Sequence, residues 1–280
     1  MIIWLASYPK SGNTWMRSMV SSLLYSNDGE FNFTLIEKID QFPEKKFFKD
    51  FVKDFGSFNE IKKNWIVAQN AINLDGQIKL FKTHQGKYTV ENDSFTNNEN
   101  TLATIYIVRD PRNLVQSISN HYTISLDDSY KFLLSSQIVG NKKSYEENKG
   151  GICNLLGKWN DHYRSWTTNK NNLLLIKYED LIKDPKTELE KIIKFLQKYL
   201  TFKIDENKIS KILETTSFIN LKEMEQKGLF KENVLNKKDG SKINFFHLGP
   251  KNSWKGNLNE KLVSKIEKSF YNEMKELDYL

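Results

Sequence analysis

Lys10 stands directly before Ser11-Gly12-Asn13-Thr14, in a turn that follows the apolar run Ile2-Ile3-Trp4-Leu5-Ala6 and opens into Trp15-Met16-Arg17-Ser18-Met19-Val20. A strand, a tight loop and a helix start in that order hold an anion. The loop N–H groups point inward and the helix dipole favours negative charge there. Gly12 lets the backbone come close, Ser11, Asn13 and Thr14 add donors, and Lys10 adds a point charge. The spacing is not G-x-x-x-x-G-K-[ST], because the lysine precedes the Ser-Gly pair. Phosphate binding is therefore indicated without implying ATP or GTP. The plain alternative is a capped strand-to-helix turn with no ligand. The full string Tyr8-Pro9-Lys10-Ser11-Gly12-Asn13-Thr14-Trp15 weighs against it.

Other polar clusters also follow apolar runs. Ile78-Lys79-Leu80-Phe81-Lys82-Thr83-His84 reads as a strand running out into a loop, and residues 89–100 as a polar surface loop. The near-continuous apolar run Leu102–Val108 suits a central strand covered on both faces. It ends at Arg109-Asp110-Pro111-Arg112, where Pro111 can enter a helix at little cost. Helical spacing is expected at 58–73, at 127–138 and at 152–169. Residues 140–151 form a mobile-loop candidate between the last two. Leu173–Tyr178 is a further strand closed by Glu179-Asp180-Leu181, and helices are expected at about 185–200, 205–214 and 258–276. Strands alternating with helices predict an α/β fold with a mainly parallel sheet flanked by helices. All of residues 1–280 are expected to form one domain. In such sheets ligands sit beyond the carboxyl ends of the strands.

Composition bounds the partners. The 280 residues carry 42 Lys+Arg against 35 Asp+Glu, a formal charge of +7, which favours an anionic ligand. The basic residues are mostly lysine and dispersed, so nucleic acid is not expected. A single cysteine, Cys153, excludes an intrachain disulfide and reads as a buried thiol. With one Cys and four scattered His, no metal site is expected. No apolar run reaches the ~18–20 residues of a membrane span, and residues 2–6 are too short for a signal peptide. A cytoplasmic protein is the expectation.

The chain resembles the sulfotransferases that use 3′-phosphoadenosine 5′-phosphosulfate (PAPS) and release adenosine 3′,5′-bisphosphate. Tyr8–Trp15 is similar to that family's 5′-phosphosulfate loop, and Tyr106–Arg112 with Ser117 to its 3′-phosphate segment. Phe81-Lys82-Thr83-His84 resembles the strand end carrying the catalytic Lys and His of the cytosolic-type enzymes. Tyr178-Glu179-Asp180-Leu181 and Thr216-Ser217-Phe218 resemble nucleotide-side elements. The motifs occur in family order along nearly the whole chain. One stretch departs. The family's basic Arg-Lys-Gly is replaced by His247-Leu248-Gly249, and the second Gly by Asn252, while Trp254 and Lys255 fit. Residues 231–255 still hold six Lys against Glu232 and Asp239.

The resemblance implies a P-loop-like fold, PAPS as co-substrate and definite roles. Lys10 neutralises the departing phosphate, and Ser11, Gly12, Asn13 and Thr14 bind the 5′-phosphate. Trp15 and Tyr178 lie by the adenine, with Thr216 and the His247-Leu248-Gly249 stretch on the nucleotide side. Arg109 takes the 3′-phosphate with the planar fork that Lys lacks, and Ser117 follows eight residues on, about two helical turns. Arg112 reads as a surface or helix-start charge. His84 is the candidate general base, since imidazole with its ordinary pKa near 6.5 can take a hydroxyl proton at neutral pH. Lys82, two residues earlier, falls on the same side of the strand and stabilises the bridging oxygen. The acceptor is expected to be a small molecule. Phe31, Phe33, Phe42, Phe47, Phe48, Phe51, Phe55 and Phe58 suit an apolar or lipid-like one, or else fill the core. The competing readings are a P-loop kinase or NTPase, and a basic module that holds an anion or nucleotide without catalysis.

Overall fold

In the computed structural model, residues 1–139, 152–230, 234–235, 240 and 242–280 are described. Strands β1 (Ile2–Ser7), β2 (Asp40–Gln41), β3 (Lys79–Thr83), β4 (Thr101–Val108) and β5 (Leu173–Lys177) form one sheet of order β2-β3-β1-β4-β5. The central strand β1 pairs in parallel with β3, Leu5 opposite Lys82, and with β4, Leu5 opposite Ile105. Ile2 through Ser7 are fully buried. That is why β1 and β4 read as near-continuous apolar runs and not as alternating ones. The fold is α/β with a parallel sheet flanked by helices, as the alternating pattern predicts.

Two compact units share the chain. The first comprises 1–8, 39–108 and 135–175; the second comprises 9–38, 109–134 and 176–280. In the first, Trp4 packs against Phe42, Phe81, Phe95 and Trp166, with ring centroids 5.4–6.1 Å apart. Helix α2 (Trp65–Ile72) adds Trp65, whose ring meets Phe95 at 5.6 Å. Helix α4 (Trp159–Thr167) supplies Trp166 and Tyr163 on one face. The second unit holds α1 (Asn13–Tyr25), α3 (Pro111–Tyr122), α5 (Tyr178–Lys183), α6 (Pro185–Leu196), α7 (Glu206–Thr215), α8 (Phe218–Gln226) and α9 (Glu260–Ser269).

Several boundaries differ from the sequence expectation. The stretch 58–73 is two helices, Phe58–Lys63 and α2, separated at Asn64. The 127–138 helix stops at Leu134, and Gln137–Val139 becomes a strand paired antiparallel with Asn154–Gly157. The latter lies within the expected 152–169 helix. Gly157, at φ +70°, ends that strand, and a Cβ there would come 2.0 Å from the Tyr88 hydroxyl, so α4 begins only at Trp159. Tyr178-Glu179-Asp180-Leu181 is the start of α5 and not a strand end. The 258–276 helix divides at Phe270. Phe95, Thr96 and Asn100 are buried, so 89–100 is only partly a surface loop. The candidate loop at 140–151 lies outside the described residues. Phe42 and Phe48 are fully buried in the first unit's core, and Phe31 and Phe33 are buried in the second unit, with Phe33 against Phe230. Four of the eight phenylalanines are therefore core, while Phe47, Phe55 and Phe58 are half-buried and Phe51 is exposed.

Candidate functional site

In the second unit the candidate loop before α1 is built by backbone strain and by an open helix end. Lys10 has φ +68° and Gly12 φ +100°, both in the left-handed region. Gly12 is the N-cap residue of α1 and offers no side chain to the first turn, where no acidic residue stands either. The leading N–H groups of α1 thus lack the side-chain acceptor that usually meets them. Ser11 is fully buried and its Oγ has no hydrogen-bond partner among the described residues. Asn13, Thr14 and Trp15 are buried as well, and Trp15 Nε1 is likewise unmatched.

Arg109, at the end of β4, belongs to the same constellation. It is 4% exposed, and its Nη1 donates to the Lys10 carbonyl at 3.0 Å. Its guanidinium lies 4.2 Å from the centre of the Tyr178 ring, and Tyr178 meets Trp15 edge-on at 5.9 Å. Trp15, Tyr178 and Arg109 therefore form one cluster beside the loop, with Arg109 over the Tyr178 ring and Trp15 edge-on to it. Among the described residues, Arg109 Nε has no partner. Burial raises the Tyr178 phenol pKa, against the pull of Arg109, so the hydroxyl stays protonated. Buried donors without acceptors are costly. Ser11 Oγ, Trp15 Nε1 and Arg109 Nε are the donor set that an anionic nucleotide ligand would satisfy.

Arg112 is no surface charge. Only 5% exposed, it bonds the Asp110 carboxylate, Glu267 Oε1 at 2.6 Å and the Tyr279 carbonyl at 2.6 Å, and it covers the Trp254 ring at 4.2 Å. Asp110 caps α3 by accepting from Arg112 N, while its own N–H donates to Glu179. Burial pushes the Glu179 carboxyl pKa up, with the Arg109 charge working the other way. The sequence hides this network because its partners lie up to 167 positions away.

Helix α3 also holds the departed stretch. Asn252 Nδ2 donates to the Asn113 carbonyl, Trp254 N donates to Asn113 Oδ1, and Asn120 Nδ2 reaches the Asn244 carbonyl at 3.4 Å. Asn113, Ser117 and Asn120 share one face of α3. Ser117 thus sits between the pins of the segment that carries His247, Leu248 and Gly249. Lys222 Nζ donates to the His247 carbonyl at 3.3 Å. Gly249 has φ +52°, and a Cβ there would lie 2.2 Å from the Phe218 ring, so only glycine fits. Thr216 is fully buried and its hydroxyl donates to the Ile212 carbonyl, which leaves only its lone pairs for a ligand.

In the first unit, Lys82 is buried near the end of β3, and His84 is half-buried just beyond it. His84 Nδ1 lies 2.9 Å from the Ser7 carbonyl and 3.1 Å from Ser7 Oγ. A carbonyl only accepts, so Nδ1 carries the proton and Nε2 is the ring's accepting nitrogen. That is the tautomer a general base needs. The His84 carbonyl accepts from His162 Nε2 at 3.1 Å, and His162 Nδ1 accepts from the Tyr106 hydroxyl at 2.9 Å. Burial lowers the His162 pKa to about 4, so it stays neutral in this role. Gln85 closes the turn: its Oε1 accepts from Leu155 N, and its carbonyl accepts from Trp166 Nε1. The sequence alone does not bring His162, Tyr106 and Gln85 into this network, because their meeting depends on chain separations of 56 to 81 positions. Cys153 is buried and burial raises its thiol pKa, as expected of an inert thiol. Among the described residues, no group of three or more His, Cys, Asp or Glu could hold a metal, and no helix is long and apolar enough to cross a membrane.

A profile described as the sulfotransferase domain matches residues 2–278. The chain is 26% identical to luciferin sulfotransferase of Photinus pyralis, covering 95% of this chain and 69% of that protein. It is 25% identical to amine sulfotransferase of Oryctolagus cuniculus, covering 98% and 81%. In fold it is similar to mouse sulfotransferase SULT7A1, whose structure was solved with PAP, at a TM-score of 0.60 and 20% identity, over 98% of this chain and 84% of that one. Retinol dehydratase, solved with androsterone and inactive cofactor PAP, gives a TM-score of 0.61 at 18% identity, over 98% and 80%.

Proposed function

The chain belongs to the sulfotransferase domain family, and from that premise we propose that it moves a sulfuryl group from PAPS to a hydroxyl or amine of a small-molecule acceptor. The reading treats residues 1–280 as one sulfotransferase-like domain. The observation that supports it most is the set of buried, unmatched donors at an uncapped helix start. Ser11 Oγ, Arg109 Nε and Trp15 Nε1 want acceptors, and Lys10 and Arg109 supply the charge. PAPS supplies an activated sulfuryl group on a phosphate leaving group.

The remaining work belongs to the chain's own side chains. Ser11, Gly12, Asn13 and Thr14 bind the 5′-phosphate with backbone and side-chain donors. Arg109 and Ser117 take the 3′-phosphate, with the His247-Leu248-Gly249 backbone and Thr216 on the same nucleotide. Trp15 and Tyr178 flank the adenine. His84 Nε2 takes the acceptor proton as the new bond to sulfur forms and the bond to the phosphate oxygen breaks. Lys10 neutralises the leaving phosphate, and Lys82 stabilises the bridging oxygen. Such in-line transfer depends chiefly on positioning and charge stabilisation. Asn13 and the ordering of the lysine before Ser-Gly disfavour an ATP-dependent kinase reading.

The test is transfer of radiolabelled sulfate from PAPS to panels of phenols, alcohols, amines, sugars and lipids. The account expects label on at least one acceptor, lost in His84→Ala. Transfer at an undiminished rate by His84→Ala would remove His84 as the base. Phosphoryl transfer from ATP–Mg²⁺ in place of sulfuryl transfer would overturn the reading.

A further inference from the structure

Lys10 does not stand in open solvent beside its loop. Its ammonium lies 3.6 Å from the centre of the Phe245 ring. An ammonium this close to a ring face is held by the ring quadrupole, most strongly when water is excluded from that side.

Both ends of this contact are fixed by independent groups. On the lysine side, the backbone is in the left-handed region and the carbonyl accepts from Arg109 Nη1. On the ring side, the N–H groups of Phe245 and Phe246 both donate to the Glu225 carboxylate, at 2.7 and 2.9 Å. Glu225 is 2% exposed on α8, so a buried carboxylate anchors the backbone that carries the ring. Charge-assisted bonds of that kind are the stronger ones. Phe230 at 4.9 Å and Phe246 at 5.2 Å then hold the ring laterally.

We propose that Phe245 is a positioning residue for Lys10: its ring face seats the ammonium beside the loop before α1 and shields one side of it from water. The role rests on the sulfuryl-transfer reading given above. It assigns a task to the segment that lacks the family's basic Arg-Lys pair. This segment contributes an aromatic face that organises the loop's own lysine. The coulombic pull of Lys10 on a developing negative charge grows as its surroundings lose water.

The experiment replaces Phe245 with phenylalanines carrying one, two and three ring fluorines, which keep the shape and weaken the quadrupole stepwise. The expected result is a stepwise fall in kcat of about tenfold in total, with Phe245→Tyr close to wild type and Phe245→Leu at the bottom of the series. A second readout does not depend on turnover. In [¹³C]lysine-labelled free protein, the Lys10 ε-methylene resonance, assigned with Lys10→Arg, should sit upfield of the other lysines through the ring current and return to the common position in Phe245→Leu. A Lys10 signal among the exposed lysines overturns the proposal, and so does a kcat that is flat across the fluorine series. Wild-type protein that transfers no sulfuryl group, with the upfield signal present, overturns instead the functional reading on which the role rests.

Discussion

The turn after β3 and the loop before α1 handle their polar groups in opposite ways. After β3 the groups are closed on one another. The Thr83 hydroxyl takes Gln85 N, the His84 carbonyl takes His162, and the Gln85 side chain spans Leu155 and Gly86. At the loop before α1, Ser11 Oγ, Trp15 Nε1 and Arg109 Nε are buried with no partner among the described residues. A closed network fixes the orientation of one imidazole and is cooperative. An open set carries a desolvation cost that a ligand repays. The difference matches the two tasks of the proposed transfer: the reading gives the rigid region the proton and the under-satisfied one the nucleotide.

Predictions follow from breaking each region in turn. His84→Ala should cost ~10²–10⁴-fold in transfer, the range for a general base. Binding of adenosine 3′,5′-bisphosphate, measured calorimetrically, should stay near the wild-type value. Parallel loss of binding and turnover would merge two regions that are here assigned separate tasks. Arg109→Ala should weaken the bisphosphate by about 2–3 kcal/mol, as for a charged hydrogen-bonding group. The loss for adenosine 5′-phosphate should be smaller but not zero, because Arg109 also holds the Lys10 carbonyl. Equal losses for both ligands would contradict its assignment to the 3′-phosphate.

The closed network makes a pH prediction. His162 has a folded pKa of about 4 against an ordinary 6.5. Below about pH 6.5 the unfolded chain binds a proton that the folded chain refuses, so stability falls as pH drops from 6.5 toward 4. The full loss is about 3 kcal/mol for a shift of this size. Urea midpoints for wild type and His162→Gln across that window should diverge at high pH and converge at low pH. Curves that stay parallel would mean His162 is not held neutral. The smallest expected effect is Ser7→Ala. The Ser7 carbonyl, which fixes the His84 tautomer, survives the change, so transfer should fall by no more than ~3-fold, within the lower range of a neutral hydrogen bond. A hundredfold fall would show that the hydroxyl, not the carbonyl, orients the ring.

The sequence carries the open region more legibly than the closed one. Lys10, Ser11-Gly12 and Arg109 stand at strand ends, where residue type and local spacing declare an anion site, and the sheet follows from apolar runs of strand length. The closed network is silent in sequence because it is made by side chains from distant elements. His162 reads as one more residue in a helical stretch, and Arg112 reads as a helix-start charge until Glu267 and the Tyr279 carbonyl are seen to meet it. Tertiary demands likewise moved the boundaries. Strand pairing with Gln137–Val139 and the close Tyr88 hydroxyl took Asn154–Gly157 out of an expected helix. The Phe-rich stretch leaves an apolar acceptor site and core filling both open, because composition alone does not distinguish a lining from a core; Phe31, Phe33, Phe42 and Phe48 are core.

The account rests on the second unit's loop being a two-phosphate nucleotide site, and a thermal-unfolding titration tests this most directly. Adenosine 3′,5′-bisphosphate at 100 times its Kd should stabilise the protein by about 2.7 kcal/mol through linkage, with adenosine 5′-phosphate well behind and ATP–Mg²⁺ weaker still. Preferential stabilisation by ATP–Mg²⁺, or none by the bisphosphate, would contradict it.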